Sequence, residues 1–218
     1  MVRLAWLIAG SICIWGATLS AQAATPCVLK AGNLLQNATF AQRREHGGIY
    51  HWSSTQHSGE PSFDLKIEDG EARIEKTGTQ PWFYFRQRLD VTPIAGEIVA
   101  LNVEMQLDLR VPEQGQGFKV GGGVKMVARS AANKGRKLLL RSVLDHEPHI
   151  GEHDWQHYQI VIKLPEHSSA LDVGFLMQAD GLLQVRNPVL QLVDRSAGEC
   201  ELSPNAVLGV PQPVSGLR

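Results

Sequence analysis

The sequence predicts an all-β fold, a two-sheet antiparallel β-sandwich of jelly-roll type, on three observations. Apolar and polar residues alternate with period two almost throughout; Asp69-Gly70 joins two such runs in the manner of a hairpin; and no segment keeps a helical period beyond a turn or two. At most a short helix is expected around residues 41–48.

Taken in order, FDLKIE (63–68) and EARIEK (71–76) flank Asp69-Gly70, two residue types that accept the positive φ of a two-residue hairpin turn. PWFYFRQRLDV (81–91) comes next. GEIVALNVEMQLDLR (96–110) has the clearest alternation: Val99, Leu101, Val103, Met105, Leu107 and Leu109 share one face, and Asn102, Glu104, Gln106 and Asp108 the other. Five further runs follow, at 117–129, 136–145, 155–165, 169–180 and 182–194, separated by loops rich in Pro, Gly, Asn and Ser. Nine or ten short strands with regular turn signals imply two packed antiparallel sheets. Trp52, in YHWSS, reads as a loop aromatic lying over the core.

Residues 1–23 read as a secretory signal peptide. Arg3 precedes an apolar run from Leu4 to Trp15, and Ala21-Gln22-Ala23 supplies a small-residue cleavage site. The run is short for a membrane span, and no later segment is apolar enough to be one. Pro26 before Cys27 argues against a lipoprotein signal. A mature chain exported to the periplasm or beyond is therefore expected. Residues 24–200 would form one sandwich domain, and 201–218, with three prolines and no alternation, a flexible tail.

Charge and cysteines narrow the class. Twenty-one Lys and Arg against 22 Asp and Glu give no basic excess, which argues against a nucleic-acid partner. Cys13 leaves with the signal peptide; Cys27 and Cys200, placed before the first and after the last strand, form an even pair in an oxidising compartment and read as a disulfide.

Several stretches, in order, resemble the jelly-roll carbohydrate-binding modules of the galactose-binding-like superfamily, especially the family 4/9 type. NLLQNATF (33–40) resembles their opening strand, FRQRLDVTPIAGEIVALNVEMQL (85–107) their middle segment, and residues 151–194 their ending, in which a Trp precedes a strand that a Pro closes. The resemblance implies that Trp155 packs under the sandwich edge, with Tyr158, Ile160, Ile162 and Leu164 continuing as core and His157, Gln159 and Lys163 pointing away. It also implies a possible cofactor, a structural calcium held by oxygen ligands, with Asn37 and Asp194 as candidates. The acidic residue often found after the opening Phe is absent here, where Ala41 and Gln42 follow Phe40.

A sugar site needs an aromatic face for C–H stacking and planar polar groups for hydroxyls. Trp82 and Tyr84 share one face of their strand and Phe83 and Phe85 the other. With the phenylalanines inward, Trp82 and Tyr84 become the candidate platform, beside the row Asn102, Glu104, Gln106 and Asp108. Gln87 has the wrong parity for that face. The histidine-rich stretch 145–157, with His146, His149, His153 and His157 among Asp145, Glu147, Glu152 and Asp154, offers metal-ligand chemistry but reads more simply as a solvated, pH-sensitive loop. VGGGVK (120–125) lacks the Gly-Lys-Ser/Thr ending of a phosphate loop and reads as a bulge or as the close approach of another backbone or a ligand. No nucleophile elbow or triad is present, and Glu104 and Asp108, four residues apart along a strand, stand about 13 Å apart, beyond the roughly 5–9.5 Å of paired glycosidase carboxylates. The sequence therefore points to an exported, non-catalytic protein that binds a glycan or exopolysaccharide; the alternative is a protein-interaction or scaffold subunit of a bacterial envelope assembly.

Overall fold

The computed structural model describes residues 27–113, 119–130, 138–141, 149–203 and 207–208. The expected signal peptide, together with Asp145, His146 and Glu147, lies outside the described residues. The strands are β1 (Trp52–Gln56), β2 (Phe63–Glu68), β3 (Glu71–Lys76), β4 (Phe83–Asp90), β5 (Ile98–Arg110), β6 (Gly121–Ser130), β7 (Leu138–Arg141), β8 (Gly151–Lys163), β9 (Ser168–Gln178), β10 (Asp180–Leu192) and β11 (Val207–Leu208). They form a six-stranded sheet, order β1-β4-β9-β6-β7-β11, and a five-stranded sheet, order β2-β3-β10-β5-β8. Every pairing is antiparallel. This is the β-sandwich that the alternation implies. The segment 41–48 forms turns rather than helix.

The Asp69-Gly70 hairpin forms as expected, with φ of 49° and 82° at its two central residues and Glu68 opposite Glu71. The inner faces interdigitate into one core. Phe83 and Phe85 of β4 meet Phe175 and Met177 of β9 and Val124 and Met126 of β6, facing the Val99–Leu109 apolar row of β5. Gln87, also inward, is 1 % exposed and is satisfied by the chain's opening segment: its Oε1 accepts from Gln36 N–H at 2.8 Å and its Nε2 donates to Gln36 O at 2.7 Å. That reciprocal clamp explains how a polar side chain is tolerated in the core.

The opening NLLQNATF is no regular strand. It runs beside the end of β10, where Asn33 Oδ1 accepts from Leu190 N–H at 2.9 Å and Asn33 Nδ2 donates to Pro188 O at 3.0 Å. Asn33 therefore serves the backbone groups freed where β10 shifts register between Arg186 and Val189. The strand β1, unmarked in the sequence, pairs with β4 by placing Trp52 opposite Gln87.

A disulfide joins Cys27 to Cys200. It belongs to a second, small apolar cluster in which Ala100 and Val161 of the outer five-stranded face pack with Val193, Leu29 and Ile98. The segments around Cys27 and Cys200 thus cover one end of that face, which explains why the outward row of β5 is apolar at Ile98 and Ala100 and polar from Asn102 onward. Beyond the disulfide, among the described residues, Ser203 exchanges hydrogen bonds with Val161 at the edge of β8, and β11 pairs with β7. Replacing both cysteines by serine is expected to cost about 2–4 kcal/mol of stability. Equilibrium urea unfolding checks this, and an unchanged unfolding free energy would refute it.

Candidate functional site

The proposed aromatic pair and the polar row lie on different sheets. Phe83 and Phe85 point inward as expected, but their neighbours do not form an exposed platform. Tyr84 is 6 % exposed; its hydroxyl donates to Lys125 O at 3.0 Å, and the Arg86 guanidinium and Lys125 ammonium lie 5.5 and 5.4 Å from its ring centroid. Trp82 precedes β4, half-buried, and meets the His57 ring edge-on at 6.1 Å. The row Asn102, Glu104, Gln106 and Asp108 is on the outer face of β5, in the other sheet. Alternation fixes which way a side chain points from its own strand; it does not say which sheet the strand joins.

The polar row is instead completed by β8 and β10. Asn102 Oδ1 accepts from Gln159 Nε2 at 2.9 Å. Glu104 accepts from Asn187 Nδ2 at 3.0 Å and from Arg186 Nε at 2.8 Å, and these two donors hold its carboxyl below the usual range. Arg186 is fixed from the far side by Glu71, 3.2 Å from Nη1. Its guanidinium lies 4.0 Å from the centroid of the Trp155 ring, within the range of a cation–π contact. Gln106 Nε2 reaches Asp154 Oδ1 at 3.5 Å, and Asp108 is exposed. Beside these residues runs a shallow groove of about 360 Å³ bordered by Gln106, Asp108, Glu152, Asp154, Leu182 and Gln184.

Trp155 is thus on the outer face and not under the sandwich edge. Alternation from the inward Tyr158 puts His157 and Trp155 outward; beyond them the β5–β8 register shifts between Met105, opposite Gln156, and Leu107, opposite His153, a bulge that leaves Asp154 and Trp155 unpaired and turns His153 inward. Tyr158 and Ile160 still pack on the core, as the resemblance implies. Sequence reasoning missed both Trp155 and Arg186 as site residues. The second had a legible signal: Asn187-Pro188 inside a strand run marks a bulge, and Asn187 adopts φ of 51° there.

The same bulge separates the histidines. β8 begins at Gly151, earlier than the acidic run suggests, yet His153 faces inward opposite Leu107 while His157 lies outward opposite Glu104. His149 bridges to Gly122 through two backbone hydrogen bonds, and its ring packs 4.9 Å from Tyr158. Burial, with His153 nearby, lowers its pKa. Among the described residues no group of three or more His, Cys, Asp or Glu converges as a metal site. Of the calcium candidates, Asn37 Oδ1 accepts from Gln42 N–H at 3.0 Å within its own turn, and Asp194 Oδ1 caps a 3-10 turn, accepting from Ser196 N–H at 3.0 Å and from the Ser196 hydroxyl at 2.6 Å. Of the two readings of the glycine run, a close approach is found at Gly122, where an added Cβ would lie 2.8 Å from Leu109 Cδ1 and 3.2 Å from Leu176 O.

No family model matches the sequence, and no curated protein matches it. Solved structures that align with the chain include the enzymatically active domain of tailspike protein 4 from bacteriophage CBA120, at 11% identity and a TM-score of 0.49, with 73% of this chain covered. The chain spans 21% of the length of that tailspike domain. A putative sugar-binding protein from Bacteroides thetaiotaomicron aligns at 12% identity and a TM-score of 0.48, over 74% of this chain and 100% of the other. A CBM4 carbohydrate-binding module aligns at 13% identity and a TM-score of 0.47, over 72% of this chain and 98% of the other.

Proposed function

We propose that this is an exported, non-catalytic glycan-binding protein whose ligand lies on the outer face of the five-stranded sheet. The observation that carries the reading is the Trp155 indole, on the outer face of β8 under the Arg186 guanidinium, beside the row of planar polar side chains and the groove next to it. An indole offers the apolar face that sugar C–H groups prefer, and carboxylates and amides on a rigid sheet offer fixed partners for hydroxyls. Arg186, clamped by Glu104 and Glu71, anchors the ring from a third strand, so the arrangement is pre-organised. Residues 33–40 and 151–194, which resemble carbohydrate-binding modules, support the same reading, and the signal-like residues 1–23 support a periplasmic or secreted location.

A glycan array on the chain beginning at Ala24 tests the proposal. Trp155→Ala is expected to weaken any glycan hit by about tenfold or more, the scale of one lost stacking residue, with the melting temperature preserved. Trp82→Ala, altering the opposite sheet, is expected to leave the hit intact. A blank array on folded protein would sink the proposal and favour the protein-interaction alternative, to be pursued by pull-down from envelope extracts.

A further inference from the structure

The outer face of the six-stranded sheet carries a cluster that the glycan reading does not use. Asp172, on the central strand β9, is fully buried, and three arginines from both neighbouring strands converge on it. Arg88 of β4 grips both carboxylate oxygens, Nε to Oδ1 at 2.6 Å and Nη2 to Oδ2 at 2.9 Å. Arg129 Nε of β6 reaches Oδ2 at 3.0 Å, and Arg86 Nη1 of β4 reaches it at 3.1 Å. One carboxylate balances one guanidinium, so this cluster holds two positive charges in excess. Asp90, the other carboxylate on the outward row of β4, is turned to the Thr92 N–H at 2.9 Å.

The excess is not sealed inside. The side chains of Arg86, Arg88 and Arg129 remain 27, 40 and 26% exposed, while the floor around them is desolvated, with Leu176 at 6% and Val127 at 3%. Each guanidinium carries five N–H donors, and the contacts to Asp172 use only one or two of each. Charges over a dry floor act at lower effective dielectric than free surface lysines, and the remaining donors are already oriented. Opposite Arg86, β9 carries Gly174, where an added Cβ would lie 2.1 Å from Phe85 O, so no side chain rises between the Arg86 and Lys125 positions.

We infer that this face is a second binding site, for the carboxylate groups of an acidic polysaccharide, with Arg86, Arg88 and Arg129 as its donors. The way Arg88 already holds Asp172, fork against carboxylate, is the geometry that a uronate would meet on the exposed edges. The inference stands on residues separate from Trp155 and does not require the other face to bind anything.

Polygalacturonate is the probe, with its fully methyl-esterified form as the uncharged control and dextran sulfate as the non-carboxylate anion. Titration calorimetry on the chain beginning at Ala24, at physiological ionic strength, is expected to show about tenfold or tighter binding of the free acid over the ester, the scale of one charge-assisted pair. Arg129→Gln and Arg86→Gln, which each leave two arginines on Asp172, are expected to lose about tenfold each, whereas Trp155→Ala retains full affinity for polygalacturonate. Equal binding of acid and ester overturns the inference, and so does full affinity in either arginine variant at an unchanged melting temperature. Tighter binding of dextran sulfate overturns the carboxylate assignment, and loss of polygalacturonate in Trp155→Ala overturns the choice of face. Should both arginine variants fail to fold, the acid-against-ester comparison on the unaltered chain still decides.

Discussion

Trp52→Ala is expected to lower the free energy of unfolding by about 3–5 kcal/mol, the scale of deleting a fully packed large aromatic. Trp52 is 2% exposed and lies at the centre of an aromatic group, with ring centroids 4.9 Å from Phe85, 5.0 Å from Phe40 and 6.1 Å from Phe175. Its indole N–H donates to Gln36 O at 3.2 Å and Asn37 O at 3.1 Å, so the same side chain pins the opening segment to the core. Truncation leaves a large cavity and releases that segment together. Trp52→Phe separates the two losses: it refills most of the volume but removes the donor. Gln36 O keeps its bond from Gln87 Nε2 and Asn37 O its bond from Phe40 N–H, so neither carbonyl is left unsatisfied and the donor loss is expected to cost about 0.5–1.5 kcal/mol. Denaturant midpoints at constant slope measure both. An Ala variant as stable as the parent chain would show that Trp52 does not organise the core.

Trp52 also shows where the sequence was legible and where it was not. The strands with a strict apolar face, β2, β3, β5 and the core half of β8, could be read directly, because burial on one side leaves a period-two record. WSSTQ leaves none. As an edge strand with Ser53, Ser54 and Thr55 exposed, it records only its anchor, and a lone Trp among polar residues looks like a loop. The misplaced candidate site has a different cause. Trp82, Tyr84 and the polar row were each assigned a direction from their own strand, but β4 pairs with β9 and β5 pairs with β10, so the two sets face opposite sides of the sandwich. The resemblance implied an inward Trp155, whereas alternation from Tyr158 turns it outward; the bulge, which composition does not mark, shows in His153, turned inward although it shares the parity of His157. Gln87 was the reverse case, since its inward parity was read correctly and its partner, a backbone group 51 residues away, explains why a glutamine stands there.

Asp172→Ala is expected to cost about 3–5 kcal/mol, because removing one partner of a buried charge cluster leaves the others uncompensated. Three guanidinium groups would then face one another across neighbouring strands with no anion between them. The pH dependence identifies the cause. Burial pushes the Asp172 carboxyl up, but hydrogen bonds from Arg88 and Arg129 and the charge of Arg86 push it down further, so its pKa lies below the ordinary 3.8. A carboxyl whose folded pKa is depressed contributes its full stabilisation above the unfolded value, and loses it as pH falls through the folded one. The parent chain therefore approaches the variant in stability only below about pH 4, and the gap is constant above it. Salt gives the second signature. Screening relieves repulsion among partly exposed guanidinium groups, so the cost of Asp172→Ala should shrink as ionic strength rises, whereas the cost of Trp52→Ala should not. A gap that ignores both pH and salt would mean that Asp172 matters for its packing and not for its charge, and the excess positive charge on that face would lose its physical basis.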